Sequence, residues 1–190
     1  AGSWTNATDV ANATYTAGAS ESGSITLTLT TSGSGCTPVT ATKSITVNEN
    51  PTASAGGGLS AICQGATSAA MGGSVAGGAT GGTWSGGAGS WTNATDVANA
   101  TYTAGASESG SITLTLTTSG GSCGSTTDTK NITVNANPTA SAGGALSAIC
   151  QSATSAAMGG SVGGGATGGT WSGGAGSWTN ATDVANATYT

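Results

Sequence analysis

The 190-residue sequence contains no histidine, arginine or phenylalanine, and its only cationic side chains are Lys43 and Lys130. The commonest general base, the imidazole metal ligand and the guanidinium phosphate clamp are therefore missing. Charged residues make up 5% of the chain and the formal net charge is -5. Because phosphate binding depends on lysine and arginine, we expect no nucleic-acid partner. We predict no enzyme activity and no catalytic, cofactor-binding or metal-binding residues.

Long hydrophobic segments are also missing. No apolar run reaches 18 residues, so we expect no membrane insertion in this segment. No stretch shows a helical period with capping residues either. These absences leave short, regularly punctuated segments, which favour an all-β fold.

Alternating residues provide the clearest structural signal. Between Ser111 and Thr118 every second residue is Ile112, Leu114 or Leu116, and threonines fill the positions between them. This period of two is typical of a strand with one buried face. Lys130 to Asn135 shows the same pattern. We predict strands near Thr52–Ala55, Ala66–Met71, Thr83–Ser85, Ser90–Asn93, Ala100–Thr103, Ser111–Thr118 and Thr126–Val134, with a core containing Tyr102, Ile112, Leu114, Leu116, Ile132 and Val134.

The chain repeats itself with a period of 87 residues. Residues 1–33 are identical to 88–120, and residues 51–103 match 138–190 with three changes. Between 34–50 and 121–137, eight of 17 positions differ. A repeat of this length lies in the size range of a seven-strand β-sandwich.

Prolines mark the boundaries of the repeat units at Asn50-Pro51 and Asn137-Pro138. We predict the C-terminal part of one unit at 1–50, a complete unit at 51–137 and the N-terminal part of the next at 138–190. The chain is either a window on a longer protein, or its partial units are completed by neighbouring chains through strand addition. The two partial units together exceed one period by 16 residues, which favours the window.

Four of the five tryptophans occur in two copies of one motif, TWSGGAGSW, at Trp84 and Trp91 and again at Trp171 and Trp178. A hairpin centred on Gly87-Ala88 would place Trp84 opposite Trp91, with both rings on one face. We expect at least one ring in the core, because indoles supply much of the available burial. The alternative is an exposed stacking platform for glycans. A shifted turn would place Trp84 inside and Trp91 at the rim.

Each unit contains two cysteines, and the spacings alternate between 27 and 60 residues. No CxxC motif indicates zinc or redox chemistry, so we read the cysteines as disulfide-forming. Loop entropy does not choose between the possible pairs. A unit that folds by itself favours Cys63 with Cys123. The alternative links Cys36 with Cys63 and Cys123 with Cys150.

Several blocks together carry a resemblance: PTASAGG, LSAICQGATSAAMGGSV, GGTWSGGAGSW, DVANATYT, SGSITLTLTTS and TKNITVNANP. The sequence resembles the immunoglobulin-like or PKD-like repeats of giant Bacteroidota cell-surface adhesins. The resemblance covers essentially the whole chain. It implies tandem immunoglobulin-like β-sandwich repeats, an extracellular location at a bacterial cell surface, and no catalytic residues.

Some polar residues have local interpretations. Tyr102 lies in a setting similar to the tyrosine corner of such sandwiches, so its hydroxyl should bond a nearby backbone group. Asp96 is expected to stabilise a turn, and Glu108 and Asp128 to be solvated.

These observations lead to a structural function as the main hypothesis: a stalk, adhesin or filament whose partners are other copies of the repeat or chain. The alternative is an array of glycan-binding modules that uses the repeated tryptophan pairs to bind surface glycans.

Overall fold

The computed structural model describes residues 1–33 and 35–190. The all-β prediction is confirmed, because these residues form sixteen strands and no helix. Accordingly, the described residues contain no helix long and apolar enough to span a membrane.

Eight of the strands belong to residues 51–137. They are β5 (Thr52–Ser54), β6 (Ile62–Cys63), β7 (Ser74–Ala76), β8 (Gly81–Ser85), β9 (Ser90–Thr92), β10 (Thr101–Thr103), β11 (Gly110–Ser119) and β12 (Thr127–Asn135). Residues 1–50 contain β1 (Ser3–Thr5), β2 (Thr14–Thr16), β3 (Gly23–Thr30) and β4 (Thr40–Val47). Residues 138–190 contain β13 (Thr139–Ser141), β14 (Ser161–Gly163), β15 (Trp178–Thr179) and β16 (Thr188–Tyr189).

A four-stranded sheet in the order β6-β12-β11-β8 dominates residues 51–137. Strands β11 and β12 form its antiparallel centre, β8 is antiparallel to β11, and β6 runs parallel to β12. The long alternating segments become the long strands because they can bury an apolar face continuously. Leu114 and Leu116 are fully buried, whereas Thr113, which precedes them, and its neighbour across the ladder, Asn131, are exposed.

The core lies between this sheet and the shorter strand pairs β9-β10 and β5-β7. It combines Trp84 and Leu116 from the sheet with Tyr102 from β10 and Met71 from the segment before β7. Of the predicted core residues, Tyr102, Leu114, Leu116, Ile132 and Val134 are buried, and Ile112 is half-buried against the cluster.

The predicted strand at Ala66–Met71 is wrong. This segment runs beside β10 through single backbone bonds, such as Ser68 N–H to the Tyr102 carbonyl at 2.8 Å, but it makes only one isolated bridge, between Thr67 and Thr103. Strands β6 and β7 were not predicted. Two or three residues are too few to show an alternating pattern.

No strand pairing among the described residues crosses Asn50-Pro51 or Asn137-Pro138. The copies nevertheless differ in how completely their apolar side chains are covered. Leu116 and Ile132 are 0% and 1% exposed, whereas the equivalent Leu29 and Ile45 in residues 1–50 are 48% and 43% exposed. In residues 51–137 these side chains are covered with the help of β6 and β8, which have no counterpart in residues 1–50. Closing the core therefore requires the full repeat length.

Candidate functional site

The two tryptophans of the TWSGGAGSW motif lie on strands of different sheets. Trp84 on β8 pairs with Leu116 of β11, and Trp91 on β9 pairs with Tyr102 of β10. The predicted hairpin is therefore wrong. Gly86 and Gly87, with φ of 102° and 71°, let the chain turn out of the four-stranded sheet. Strand β8 forms five register pairs with β11, more than the three-residue β9 could offer it as a hairpin partner.

The indoles instead stack across the core. The rings of Trp84 and Trp91 are 6.0 Å apart and inclined by 17°, an offset stacked geometry. Trp84 is 2% exposed, and Trp91 is half-buried. This placement matches the alternative in which a shifted turn puts Trp84 inside and Trp91 at the rim.

A turn-rich loop at residues 93–100 holds the Trp84 indole. Trp84 Nε1 donates to the Val97 carbonyl at 2.9 Å, and the Trp84 backbone N–H donates to the Ala94 carbonyl. Asp96 shapes the loop by accepting from Asn99 N–H at 3.0 Å, and this bond, with a second from the Asn99 side chain, lowers the pKa of Asp96. The turn-stabilising interpretation of Asp96 is confirmed.

Trp91 also contacts Tyr102, whose ring lies 5.2 Å away at 52°. Trp91 Nε1 donates to the Gly86 carbonyl at 3.1 Å. The half-buried ring thus has two aromatic neighbours and a satisfied N–H, which reduces the ring surface available to a ligand.

A buried tyrosine–glutamate pair joins three segments of the unit. Tyr102 Oη donates to Glu108 Oε2 at 2.5 Å and accepts from Gly89 N–H at 2.8 Å, which confirms the predicted bond to backbone. The Glu108 carboxylate also accepts from Ala88 N–H and Gly105 N–H. The prediction that Glu108 is solvated is wrong, since it is only 9% exposed.

These contacts shift two pKa values in opposite directions. Burial, followed by the bond to Glu108, raises the pKa of Tyr102. Burial also raises the pKa of Glu108, but the hydrogen bonds from Tyr102, Ala88 and Gly105 together lower it by more, so its pKa lies below the usual value. The cluster therefore favours an ionised Glu108 carboxylate and a protonated Tyr102 phenol.

Lys130 is a buried cation that the sequence analysis did not single out. It is 8% exposed, its Nζ donates to the carbonyls of Gly57 and Met71 at 2.9 and 2.5 Å, and it lies 5.5 Å from the centre of the Trp84 ring. Burial lowers the pKa of Lys130, and Asp128 opposes that effect. The alternation of β12 predicts this burial, because Lys130 lies two residues before Ile132 and four before Val134 and therefore faces the same side of the strand.

Asp128 also points toward the same side of β12 and is partly buried, so the prediction that it is solvated is only partly right. It accepts from Ala55 N–H at 2.7 Å, and this bond is the main cause of its lowered pKa.

The tryptophan stack recurs in residues 138–190. Trp171 and Trp178 are 6.0 Å apart at 14°, and Trp171 Nε1 donates to the Val184 carbonyl at 2.9 Å. In residues 1–50, Tyr15 donates to Glu21 at 2.6 Å, as Tyr102 does to Glu108. The constellation is thus a local property of the repeated sequence.

The four cysteines are exposed thiols. Cys63 pairs in register with Asn135 at the end of β12, whereas Cys123 lies in the loop before β12 begins. Nine strand residues separate these ends by about 26 Å, whereas a disulfide needs Cα atoms within about 7 Å. The structure therefore separates the predicted Cys63–Cys123 pair. Both β4 and β12 separate Cys36, before β4, from Cys63, beside the end of β12. All four cysteines are free thiols, so the alternative pairing of Cys36 with Cys63 and Cys123 with Cys150 is not formed either.

Two glycine pairs form the junctions between repeat units. A Cβ on Gly77 would overlap the Asn50 carbonyl, and a Cβ on Gly78 would overlap that of Glu49. At the next boundary Gly164 and Gly165 meet the carbonyls of Asn137 and Ala136 in the same way. Glycine is required at these positions because backbone approaches backbone too closely for any side chain.

No group of three metal-ligating side chains that could hold an ion occurs among residues 1–33 and 35–190. Comparison with protein-family models, curated proteins and solved structures finds no match to this chain.

Proposed function

We propose that this chain is a structural segment of a long extracellular surface protein or fibre, built from tandem immunoglobulin-like β-sandwich units of 87 residues. The repeated junction is the observation that carries this proposal. Both boundaries seat a Gly-Gly pair against the two carbonyls that precede the boundary proline. Junctions with the same contacts give each unit the same rise and rotation, so added units lengthen a regular rod.

The sandwich interpretation is supported by the single core of residues 51–137. This core lies between a four-stranded sheet and two shorter strand pairs, which is how a small two-layer β domain buries its apolar faces. The location at a bacterial cell surface comes from the family resemblance. Other copies of the repeat are the proposed partners.

The proposed mechanism is mechanical. The antiparallel pairing of β11 with β12 runs over eight register pairs, and the carbonyl–glycine contacts restrict bending between units. A strand of the length of β12 along the axis corresponds to about 26 Å of length per unit.

Small-angle X-ray scattering of the 190-residue chain tests the junction directly. The double variant Gly78→Ala/Gly165→Ala should lower the maximum dimension and give the scattering of flexibly linked bodies, because each added Cβ overlaps a carbonyl. Gly78 and Gly165 have no positive φ that would add backbone strain. The matched control is Gly58→Ala, an open position that already carries Ala145 in the next copy. Unchanged scattering from the double variant would contradict the rod.

Glycan binding is the second candidate function, favoured by the partial exposure of Trp91 and Trp178. The stacking of each of these rings on a second tryptophan argues against it. Iodide quenching separates the two functions. In a Trp4→Phe background, which removes the 46% exposed tryptophan, emission should be weakly quenched if the pairs are structural and strongly quenched if they form a platform.

A further inference from the structure

The cysteines occupy two kinds of position, one in the short strand β6 and one in the loop before β12. Cys123, of the loop kind, reaches out of its own unit: its Sγ lies 3.5 Å from the carbonyl oxygen of Asn48 in the preceding unit. The loop-type cysteine therefore faces the junction. In the variable loop that holds it, five of six positions differ between 34–39 and 121–126, and the cysteine is the one that does not.

The strand-type cysteine lies at the opposite end of its unit. Cys63 pairs with Asn135, and the next residue, Gln64, donates its N–H to the Asn135 carbonyl at 3.0 Å. Asn135 follows Asn48 by one repeat of 87 residues. The Cys123 thiol contacts the Asn48 carbonyl, and the strand segment that contains Cys63 binds the Asn135 carbonyl. These two carbonyls occupy equivalent positions in successive units.

We propose that the strand-type cysteine of each complete unit forms a disulfide with the loop-type cysteine of the unit that follows it. Where two complete units meet, both cysteines would lie beside the carbonyl equivalent to that of Asn135. The strand-type cysteine lies in a neighbouring strand about 4.8 Å away, and the sulfur of the loop-type cysteine contacts the carbonyl oxygen. This proximity suits the short Cα separation of a disulfide. The partner of Cys63 is the residue one repeat after Cys123, and no such pair has both members within residues 1–190. All four thiols are accordingly unpaired.

The oxidation requires an electron acceptor, for which we name a low-molecular-weight disulfide such as oxidised glutathione. One cysteine thiolate attacks the glutathione disulfide, forming a mixed disulfide and releasing one glutathione thiolate. The second cysteine thiolate attacks the protein sulfur of that mixed disulfide and releases the other. Two cysteine thiols thus lose two protons and two electrons, and one glutathione disulfide becomes two glutathione thiols.

This inference rests on the proposed function in one respect, since it needs complete units to follow one another. Its consequence is a junction tied twice, once through the prolyl peptide and once through the disulfide. Such a junction resists bending and pulling more than the carbonyl–glycine contact alone.

The test extends the 190-residue chain with a second copy of residues 104–137, which completes the third unit and supplies the partner of Cys63. After oxidation with glutathione at low protein concentration, free thiols are alkylated and the denatured chain is cleaved after glutamate. Cleavage at Glu49 and Glu108, and at the copy of Glu108, places Cys63 and the added cysteine on separate peptides. Mass spectrometry should find those two peptides joined, with the thiols of Cys36, Cys123 and Cys150 alkylated.

Two variants and one parallel measurement make the outcome decisive. Cys63→Ser should abolish the bond, whereas the matched Cys150→Ser, the same strand-type position one repeat later, should leave it intact. Any other pairing, or five alkylated cysteines, overturns the inference. Scattering from the same samples keeps the two proposals distinct: a rod without the disulfide defeats only the cross-link, whereas flexibly linked units defeat the proposed function.

Discussion

Replacing Trp84 by alanine should destabilise residues 51–137 severely. The side chain is 2% exposed and its indole N–H is bonded to the Val97 carbonyl. A buried indole covers about 150–250 Å², and at about 25 cal/mol per Å² this area is worth roughly 4–6 kcal/mol. Measured tryptophan-to-alanine changes of about 3–5 kcal/mol agree with that range. A unit of this size has about 4–13 kcal/mol in total.

Hydrogen exchange followed by mass spectrometry reads this loss inside the intact chain. Amides of β11 and β12 should exchange about a thousand times faster in Trp84→Ala, since a loss of about 4 kcal/mol corresponds to roughly three powers of ten. Trp84→Phe, which keeps most of the ring volume but removes the N–H donor, should give a smaller increase of about tenfold.

The repeat offers a matched control. Trp171 has the same neighbours in sequence as Trp84, stacks on the equivalent tryptophan, Trp178, and makes the equivalent bond to Val184. Residues 138–190, however, contain no counterpart of β11. Trp171→Ala should therefore leave the exchange of residues 110–135 unchanged. If Trp84→Ala accelerated that exchange by less than about tenfold, burial of the indole would contribute far less to stability than its buried area predicts, and the estimate would be refuted.

Three further residues test two polar contacts and one backbone conformation. Because the folded pKa of Glu108 is lowered, its contribution to stability is present above about pH 4.3 and is lost as pH falls through the folded pKa. Glu108→Gln should therefore cost about 1.5–3 kcal/mol at pH 7 and flatten the acid limb of the stability measured by urea unfolding. Glu49→Gln, at an exposed position, should not change the free energy of unfolding at pH 7. Lys130→Met should cost about 2 kcal/mol, because two carbonyls lose their donor, whereas Lys43→Met, at the equivalent exposed position, should not change thermal unfolding. Asn93, with φ of 52°, should accept glycine with little change but lose about 1–2 kcal/mol as valine, measured by the same unfolding.

The long strands could be predicted from sequence because alternation over eight or more residues has one physical cause. The predicted Ser111–Thr118 and Thr126–Val134 differ from β11 and β12 by only one residue at each end. Lys130 could have been placed by the same rule. Strands β6 and β7 could not, since their position depends on partners distant in sequence.

The tryptophan geometry could not be predicted from the turn residues between the two indoles. A Gly-Gly turn permits a hairpin as readily as a crossing between layers. In residues 51–137 this crossing lets β8 pair with β11, but residues 138–190 form the same stack without a counterpart of either strand. The contacts inside the motif and its following loop, such as the indole bonds to the Val97 and Val184 carbonyls, are therefore enough to favour the crossing. Glu108 was misjudged for a related reason: its partners Tyr102, Ala88 and Gly105 include groups from a segment 20 residues away, and only the folded chain brings them together.

The sequence differences between the copies lie outside the core of residues 51–137. Every member of the core cluster of residues 51–137 that has an equivalent elsewhere in the chain has the same residue there, and all eleven differing positions lie outside the cluster. No buried side-chain polar atom of the described residues lacks a hydrogen-bond partner. A unit that satisfies its own polar groups and presents the same two backbone carbonyls to the next can be copied without redesign. What such copying changes is length, and this supports the proposed mechanical function.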